Sequence, residues 1–277
     1  MESFTREVNG VPMRWLESGS GSPVVFVHGI PTGPALWRHV TPELEGRCLA
    51  WEMVGYADSI PQGRGRHISV SRQAEHLLDW LEALGIERAV LVGHDLGGGV
   101  VQIAAVRRPE RFGGLVLVNA ISYDSWPIPA VQAMRLAHPL VARLPDAVFR
   151  PMLEGFLRAG HDDRARAAES AAIHVRPYLE HGGGRAFVHQ IRALHTQDTL
   201  AVADALPRLD LPARIVWGAA DPFQKLEYGE RLAHDLRAPL HEIAGAKHFV
   251  PEDHPAEVAQ AVREVLAEPD ARPSAAR

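Results

Sequence analysis

The chain has 277 residues, of which 46% are hydrophobic and 23% charged, so its composition is that of a globular protein and excludes a fibrous repeat or a disordered chain. Lys and Arg total 29 against 34 Asp and Glu, a net charge of −5, and no basic run could follow a phosphate backbone, so we expect no nucleic-acid partner. Cys48 is the single cysteine, which excludes an internal disulfide and a multi-cysteine metal site.

The sequence shows neither a secretory signal nor a membrane-spanning segment. Residues 1–7 lack a basic region followed by an apolar stretch, and no apolar run approaches the roughly 20 residues that span a bilayer. We therefore expect a cytoplasmic protein with no membrane partner. Lys225 and Lys247 are the only lysines, and such a preference for arginine is typical of a GC-rich bacterial genome.

The first predicted elements are strands. Residues 5–8 and 13–17 flank Asn9-Gly10, a dipeptide typical of tight hairpin turns, so we expect two antiparallel strands at one edge of a sheet. Further along, apolar runs alternate with helical patterns, and their unbroken apolarity indicates strands buried on both faces of a mostly parallel sheet. These runs are residues 24–27, 89–92, 115–118 and 215–217, and a further strand is predicted over residues 240–243.

Helical patterns fill the intervals between these strands. Leucines at helical spacing predict a helix over residues 71–84, closed by Gly85, and a similar pattern predicts a final helix over residues 253–266. From Ser122 to about Leu206 the strand patterns stop, and prolines and helical segments replace them.

The pattern therefore predicts three parts of the chain. Residues 1–121 and 207–268 form an α/β core, residues 122–206 form a helical cap, or lid, inserted into it, and residues 269–277 form a flexible tail. The run Gly182-Gly183-Gly184 within the cap is interpreted either as a hinge or as a plain loop between helices.

The most informative motif is the sequence LVGHDLGGG at residues 91–99, where a buried strand meets glycines and then a helix over residues 100–107. Glycines two positions before and after Asp95 let the strand and the helix approach closely, so the Asp95 side chain is expected to project from a strained turn. The positive end of the helix favours an ionised carboxylate, which can attack an electrophile without a base. The alternative is that Asp95 only caps the helix.

These residues resemble the aspartate-nucleophile branch of the α/β-hydrolases, which includes epoxide hydrolases and haloalkane dehalogenases, and the resemblance covers nearly the whole chain outside the cap. It implies an α/β-hydrolase fold, a mostly parallel central sheet flanked by helices with a helical lid. His28-Gly29-Ile30-Pro31 resembles the His-Gly-x-Pro motif of that branch. The resemblance implies that the backbone N–H groups of Ile30 and Leu96 form an oxyanion hole. Residues 55–59, GYADS, resemble a degraded family turn, and we assign them no chemistry.

An ester formed on Asp95 must be hydrolysed by water, which requires a base. His248 stands between a predicted strand and the last helix, where the family places its catalytic histidine. Asp221 follows a buried strand and is the candidate acid that orients His248. Some relatives carry the acid after an earlier strand, a place held here by the uncharged Asn119, so the nearby Asp124 stays open as an alternative acid. His94 is interpreted as a packing residue.

The leaving group must be met by donors from the cap. Relatives that are dehalogenases hold halide with a Trp after the nucleophile and often an Asn in the His-Gly-x-Pro turn, and this chain has Leu96 and Ile30 there. Epoxide hydrolases use hydroxyl donors, usually two Tyr, sometimes a His–Tyr pair. Our candidates for substrate binding are Tyr178, His138 and Trp126, although each could instead be ordinary packing.

The sequence therefore predicts a hydrolase that forms an alkyl ester on Asp95, acting on a small organic epoxide, with a haloalkane dehalogenase as the alternative. A third reading is a ligand-binding or non-hydrolytic member of the fold in a biosynthetic pathway. We expect a small-molecule substrate and no cofactor, and both a monomer and a homodimer stay open. No metal site is expected, because the four cap histidines lack the spacing of metal ligands. They are His174, His181, His189 and His195.

Residues 63–66, GRGR, lack the features of a phosphate loop and are interpreted as a solvated loop.

Overall fold

A computed structural model describes residues 1–268. Its centre is one eight-stranded sheet in the order β1-β2-β4-β3-β5-β6-β7-β8, in which β1 and β2 run antiparallel to their neighbours and the other strands run parallel. The predicted mostly parallel sheet flanked by helices is confirmed. The strands are β1 Glu2–Val8, β2 Val11–Ser18, β3 Pro23–Val27, β4 Arg47–Trp51, β5 Ala89–His94, β6 Phe112–Val118, β7 Ala213–Gly218 and β8 Leu240–Ile243.

The hydrophobic pattern explains the positions of these strands. The apolar runs of β3, β5 and β6 are buried at nearly every position, as central strands covered by helices require. The predicted hairpin joins β1 to β2, and both turn residues, Asn9 and Gly10, adopt the left-handed conformation with φ of 50° and 72°. The sequence analysis did not single out β4, which is buried between β2 and β3.

Twelve helices accompany the sheet within the described residues. They are α1 Ile60–Gly63, α2 Val70–Ala83, α3 Leu96–Arg107, α4 Pro129–Leu136, α5 His138–Val141, α6 Asp146–Gly160, α7 Arg164–His181, α8 Gly184–Arg192, α9 Gln197–Ala203, α10 Leu226–Asp235, α11 Val250–Asp253 and α12 Pro255–Ala267. Among residues 1–268, none of these helices has both the length and the apolar character needed to cross a membrane.

The predicted last helix, residues 253–266, corresponds to α12, which begins two residues later because the chain breaks at His254 between α11 and α12. Pro255 begins α12, and a residue that precedes proline is disfavoured in the helical conformation. His254 accordingly has φ of −130° and ψ of 56°.

The chain between β6 and β7 contains helices α4 to α9 and no strand. We call it the α4–α9 segment. Of the two interpretations of the glycine run, the structure has the loop: Gly182 ends α7 in the left-handed conformation with φ of 112°, and α8 begins at Gly184. Whether this segment is a separate cap with the boundaries 122–206 stays a prediction, and the predicted tail, residues 269–277, lies outside the described residues.

Parallel pairing brings the carboxyl ends of six strands, β3 to β8, to one edge of the sheet. Each candidate site residue of the core stands just beyond one of these ends: Ile30 after β3, Asp95 after β5, Asn119 after β6, Asp221 after β7 and His248 after β8. Ligands of open α/β sheets bind at this edge.

Candidate active site

Asp95 occupies the sharp turn between β5 and α3. Its φ of 51° and ψ of −121° lie in a region that side chains rarely adopt, so the turn is strained. The flanking glycines allow that turn, because a Cβ on Gly93 would lie only 2.7 Å from Gly98 Cα, and a Cβ on Gly97 would overlap the carbonyl of Val27. The strand and the helix therefore approach as closely as the motif predicted.

The Asp95 carboxylate is held by backbone donors on one side. The N–H of Ile30 donates to Asp95 Oδ2 at 2.9 Å, and the N–H of Leu96 also donates to the carboxylate. A Cβ on Gly29 would overlap Asp95 Oδ2, so only glycine fits there. The two amides proposed for an oxyanion hole thus bind the carboxylate of Asp95 itself, and the N–H of Ile30 binds its Oδ2.

Two opposing influences set the charge of Asp95, which is only 6% exposed. Burial raises the pKa of its carboxyl, whereas His248 and the N–H groups of Ile30 and Leu96 lower it, and the net pKa lies above its ordinary value. The site therefore holds a carboxylate that is poorly solvated, which makes it a stronger nucleophile than one in water.

His248 lies between two carboxylates. Its Nδ1–H donates to Asp221 Oδ2 at 2.8 Å, and its Nε2 lies 3.9 Å from Asp95 Oδ1. Burial lowers the pKa of the imidazole, but Asp221 and then Asp95 raise it more, so the net pKa lies above the ordinary value. The structure thus brings the predicted nucleophile, base and acid together in one constellation.

Asn119 fixes the carboxylate of Asp221 rather than replacing it. Its amide N–H donates to Asp221 Oδ2 at 2.6 Å, and its Oδ1 accepts from the N–H of Gly218. Asp221 Oδ1 accepts two further bonds, from the backbone N–H groups of the two residues that follow Pro222. Asp124, the alternative acid, instead lies exposed, 3.3 Å from the hydroxyl of Tyr228.

His94 packs against the ring of His248 and bonds to its backbone. Its Nε2–H donates to the carbonyl of His248 at 2.9 Å, and the two rings lie 4.6 Å apart. Burial lowers the pKa of His94 well below the ordinary value, so its ring stays neutral and does not compete with His248 for a proton. Its position agrees with a packing role.

The three cap residues suggested for substrate binding are each hydrogen-bonded to another residue of the α4–α9 segment. Tyr178 is fully buried, packs against Phe149 and donates its hydroxyl to Gln190 at 2.6 Å. The indole N–H of Trp126 donates to Thr199 at 2.7 Å, and Nδ1 of His138 donates to the carbonyl of Arg135. Whether Tyr178 and His138 act together as donors to a substrate stays a prediction.

Tyr56, to which the sequence analysis assigned no chemistry, lies near the site. It follows β4, is 1% exposed, packs its ring against His28 at 6.1 Å, and its hydroxyl has no hydrogen-bond partner within residues 1–268. Burial raises its pKa above the usual range, and the charge of Asp95 raises it further. An aromatic residue in the turn after a sheet strand was the available signal, but β4 itself had been missed.

The backbone around His248 is bonded to the junction between α6 and α7. The carbonyl of Gly160 accepts from the N–H groups of His248 at 2.9 Å and of Phe249 at 3.0 Å. Lys247 adds a bond from its Nζ to the carbonyl of His161 at 3.0 Å. The N–H of Lys247 also donates to Asp162 Oδ2 at 3.2 Å. Residues 160–162 of the α4–α9 segment are therefore bonded to residues 244–249, the loop that carries His248, which we call the histidine loop.

A buried ion-pair network surrounds that junction, and sequence reasoning missed it. Glu252, which is fully buried, accepts from Arg38 and lies 3.3 Å from Nε2 of both His174 and His161. Burial would raise the pKa of Glu252, but its histidine partners lower it well below the ordinary value. His161 also donates to Asp253 at 2.8 Å. Burial lowers the pKa of His161, yet the two acids outweigh it and raise the pKa to about 9.

One group of side chains within residues 1–268 has the geometry to hold a metal ion: Asp58, Glu180 and His181. Arginines already neutralise the charge of its two carboxylates. Arg176 donates to Asp58 at 3.1 Å and to Glu180 at 2.7 Å, and Arg14 lies 3.5 Å from Asp58. The cluster is therefore better described as an ion-pair network than as a metal centre.

Comparisons with known proteins place this arrangement in context. Residues 22–255 match a family model described as alpha/beta hydrolase fold. The chain is 30% identical over 276 residues to 2-hydroxymuconate semialdehyde hydrolase of Pseudomonas sp. (strain CF600), covering 95% of this chain and 93% of that protein. It is 28% identical to haloalkane dehalogenase 2 of Mycobacterium tuberculosis (strain ATCC 25618 / H37Rv), covering 91% and 90%. The structure of the epoxide hydrolase CorEH has a TM-score of 0.75 at 21% identity, covering 96% and 98%, and that likeness concerns the fold.

Proposed function

This chain belongs to the α/β-hydrolase fold family, and from that premise we propose that it is an epoxide hydrolase that forms a covalent ester on Asp95. One observation carries the proposal: Ile30 N–H binds Asp95 Oδ2, while Oδ1 faces Nε2 of His248 at 3.9 Å. One carboxylate oxygen is thus fixed where an oxyanion will develop, and the other is left to attack carbon.

The first step opens the epoxide. Asp95 Oδ1 attacks a ring carbon, a C–O bond forms and the ring C–O bond breaks, and a donor transfers a proton to the departing oxygen. We assign that donor to Tyr56, a buried residue whose hydroxyl makes no hydrogen bond within residues 1–268, with Tyr178 as the second phenol. Burial raises the pKa of Tyr178 well above its ordinary value, and Tyr56 raises it further.

The second step hydrolyses the ester. His248 takes a proton from water, and the hydroxide attacks Cγ of Asp95. The negative charge then develops on Oδ2, where the N–H groups of Ile30 and Leu96 stabilise it. Collapse releases the diol and restores the carboxylate, and the proton on His248 returns to the Tyr56 phenolate.

Formation of the ester would activate the base for this step. In the free protein the negative charge of Asp95 helps to raise the pKa of His248, which favours the protonated ring. Esterification removes that charge, so the pKa of His248 falls and the neutral ring becomes available. Asp221 keeps Nδ1 protonated throughout, which leaves Nε2 as the basic nitrogen.

The α4–α9 segment serves in this proposal as the lid, over residues 122–206. It contributes Tyr178 and, through Gly160, holds the backbone of His248. Trp126 and His138 are given structural roles, because their donor N–H groups are already bonded to Thr199 and Arg135. No cofactor takes part.

A haloalkane dehalogenase is the second candidate, because the relative of that name covers 91% of this chain. Such an enzyme needs N–H donors for the departing halide. The indole N–H of Trp126 is bonded to Thr199, which favours a leaving group that accepts a proton from a phenol instead.

A single turnover with excess protein and racemic styrene oxide in oxygen-18 water tests the ester. We expect the label in the peptide that contains Asp95 and not in the first diol formed. Label found directly in that diol would contradict the covalent step.

The same reaction with 1-bromobutane compares the two leaving groups, and bromide release without diol formation from styrene oxide would favour the dehalogenase. Binding of both compounds without turnover would favour the non-hydrolytic alternative.

A further inference from the structure

A basic cleft lies between the loop after α1 and helix α8. It consists of two neighbouring cavities of about 300 and 700 Å³, and Arg185 and His189 line both of them. Arg64 adds a cation to the smaller cavity, and Arg66 and Arg192 add cations to the larger one. We call these residues and their walls the arginine cleft.

The four arginines of this cleft are exposed and have no carboxylate within ion-pair distance among residues 1–268. Two of them are nevertheless anchored: Arg64 donates to the carbonyl of His181, and Arg66 to the carbonyl of Gly10, each at 3.2 Å. Each guanidinium carries five N–H donors, so most donors of these side chains stay free.

Arginines elsewhere on the protein are commonly neutralised. Arg47 pairs with Glu17, Arg176 with Asp58 and Glu180, and Arg214 with Glu264. In the arginine cleft the one acidic lining residue among those described, Asp198, accepts from the backbone N–H of Ser71 at 3.2 Å. Like charges are therefore gathered in a concave surface of a protein whose net charge is −5, where they repel one another unless an anion binds.

We propose that the arginine cleft is a binding site for a small polyanion, a molecule that carries at least two phosphate or carboxylate groups. Arg185 lies at both cavities, so it can contact a ligand that extends from one into the other. Guanidinium groups suit such a ligand, because they bind phosphate and carboxylate oxygens through paired N–H donors. The concave shape favours a small molecule over a nucleic acid, which needs an extended basic track.

This site does not depend on the chemistry of Asp95. Gly55, which precedes Tyr56 in the chain, lines the smaller cavity, and its carbonyl accepts from Gln190 at 2.9 Å. The same Gln190 accepts from Tyr178, so the hydrogen-bonded wall Tyr178–Gln190–Gly55 borders the arginine cleft. A ligand there would bind next to the proposed reaction site without entering it.

Isothermal titration calorimetry of the full chain with inorganic pyrophosphate, and separately with citrate, tests the proposal and distinguishes phosphate from carboxylate ligands. We expect Arg185→Gln to weaken binding of the preferred probe about tenfold, which corresponds to about 1.4 kcal/mol. The double variant R185Q/R192Q should show no saturable binding.

The matched control is Arg208→Gln, which removes one exposed arginine outside the cleft and changes the net charge equally. It should alter the affinity by less than about twofold, since long-range charge effects are screened by salt. Absence of saturable heat with both probes at millimolar concentration would overturn the proposal. So would an equal loss of affinity in R208Q and R185Q, because the attraction would then be general. Circular dichroism of each variant establishes that it is folded.

Discussion

The backbone carbonyl of Gly160 accepts a hydrogen bond from the backbone N–H of His248 at 2.9 Å, although the two residues are far apart in the chain. Gly160 ends α6, and a Cβ there would lie 2.6 Å from the ring of Phe249, so a larger residue would displace the histidine loop. The orientation of the proposed base is thus set by a residue of the α4–α9 segment.

The first prediction concerns the ion pairs beside this contact. We expect His161→Asn to lower the free energy of unfolding at pH 7 by about 3 kcal/mol, because Glu252 and Asp253 would lose a buried cationic partner. Urea unfolding measures the change. His234→Asn is the control, since that side chain is 88% exposed and its pair with Asp235 should contribute little.

The same variant makes a prediction about pH. Burial opposes the charge on His161, but Asp253 and Glu252 raise its pKa to about 9, above the value of about 6.5 in the unfolded chain. A raised histidine pKa stabilises the folded protein fully below pH 6.5, and the stabilisation is lost as the pH rises through 9. The difference between wild type and His161→Asn should therefore shrink from pH 6 to pH 10. A difference that stays constant would mean that His161 acts through packing alone.

The second prediction separates the two candidate acids. Asp221→Asn should lower kcat by about 10⁴, because an amide cannot hold the Nδ1–H tautomer of His248 and stabilise its positive charge. Asp124→Asn should leave kcat within about twofold, since its carboxylate interacts with Tyr228 at the surface. Steady-state kinetics with styrene oxide measures both, and the reverse result would assign the acid to Asp124.

The third prediction concerns the charge on Asp95. Asp95→Asn should abolish turnover and also lower the pKa of His248, because the variant removes a carboxylate that raises it. The titration of the His248 ring by NMR measures this shift without any assay. Burial raises the pKa of Asp95, so its charge costs stability at neutral pH, and the variant should unfold at a higher temperature than wild type. An unchanged His248 titration would show that the two groups are not coupled.

The fourth prediction tests the proposed proton donor. Tyr56→Phe should lower kcat for epoxide opening by about 10²-fold or more, because the ring oxygen would leave without a proton. Tyr228→Phe is the matched control, since that hydroxyl interacts with Asp124 at the surface. Equal activity of wild type and Tyr56→Phe would reject Tyr56 as the donor while leaving the role of Asp95 untouched.

Sequence reasoning recovered the features that local spacing determines. The glycines around Asp95 must be small because backbone atoms occupy the space of a Cβ, so the motif alone located the turn, whereas the two amide donors were implied by the resemblance to the family. The strand that ends before Asp221 and the strand that ends before His248 placed both residues at one sheet edge for the same reason.

The features that sequence reasoning missed depend on contacts between distant segments. The sequence around Glu252 does not predict its contacts with Arg38, His161 and His174, because these residues come from three other parts of the chain. The spacing of residues within helices does not determine how those helices pack, so it did not show that Tyr178 would bond to Gln190 and His138 to Arg135.

The bond from His248 to Gly160 has a consequence for engineering. An α4–α9 segment grafted from a relative would carry its own residues at positions 160–162, and with them a new set of contacts to the histidine loop. A chimera that keeps these three native residues should retain the base geometry while its substrate range changes. Residues 160–162 should therefore be kept when this segment is diversified, because they contact Lys247 and His248.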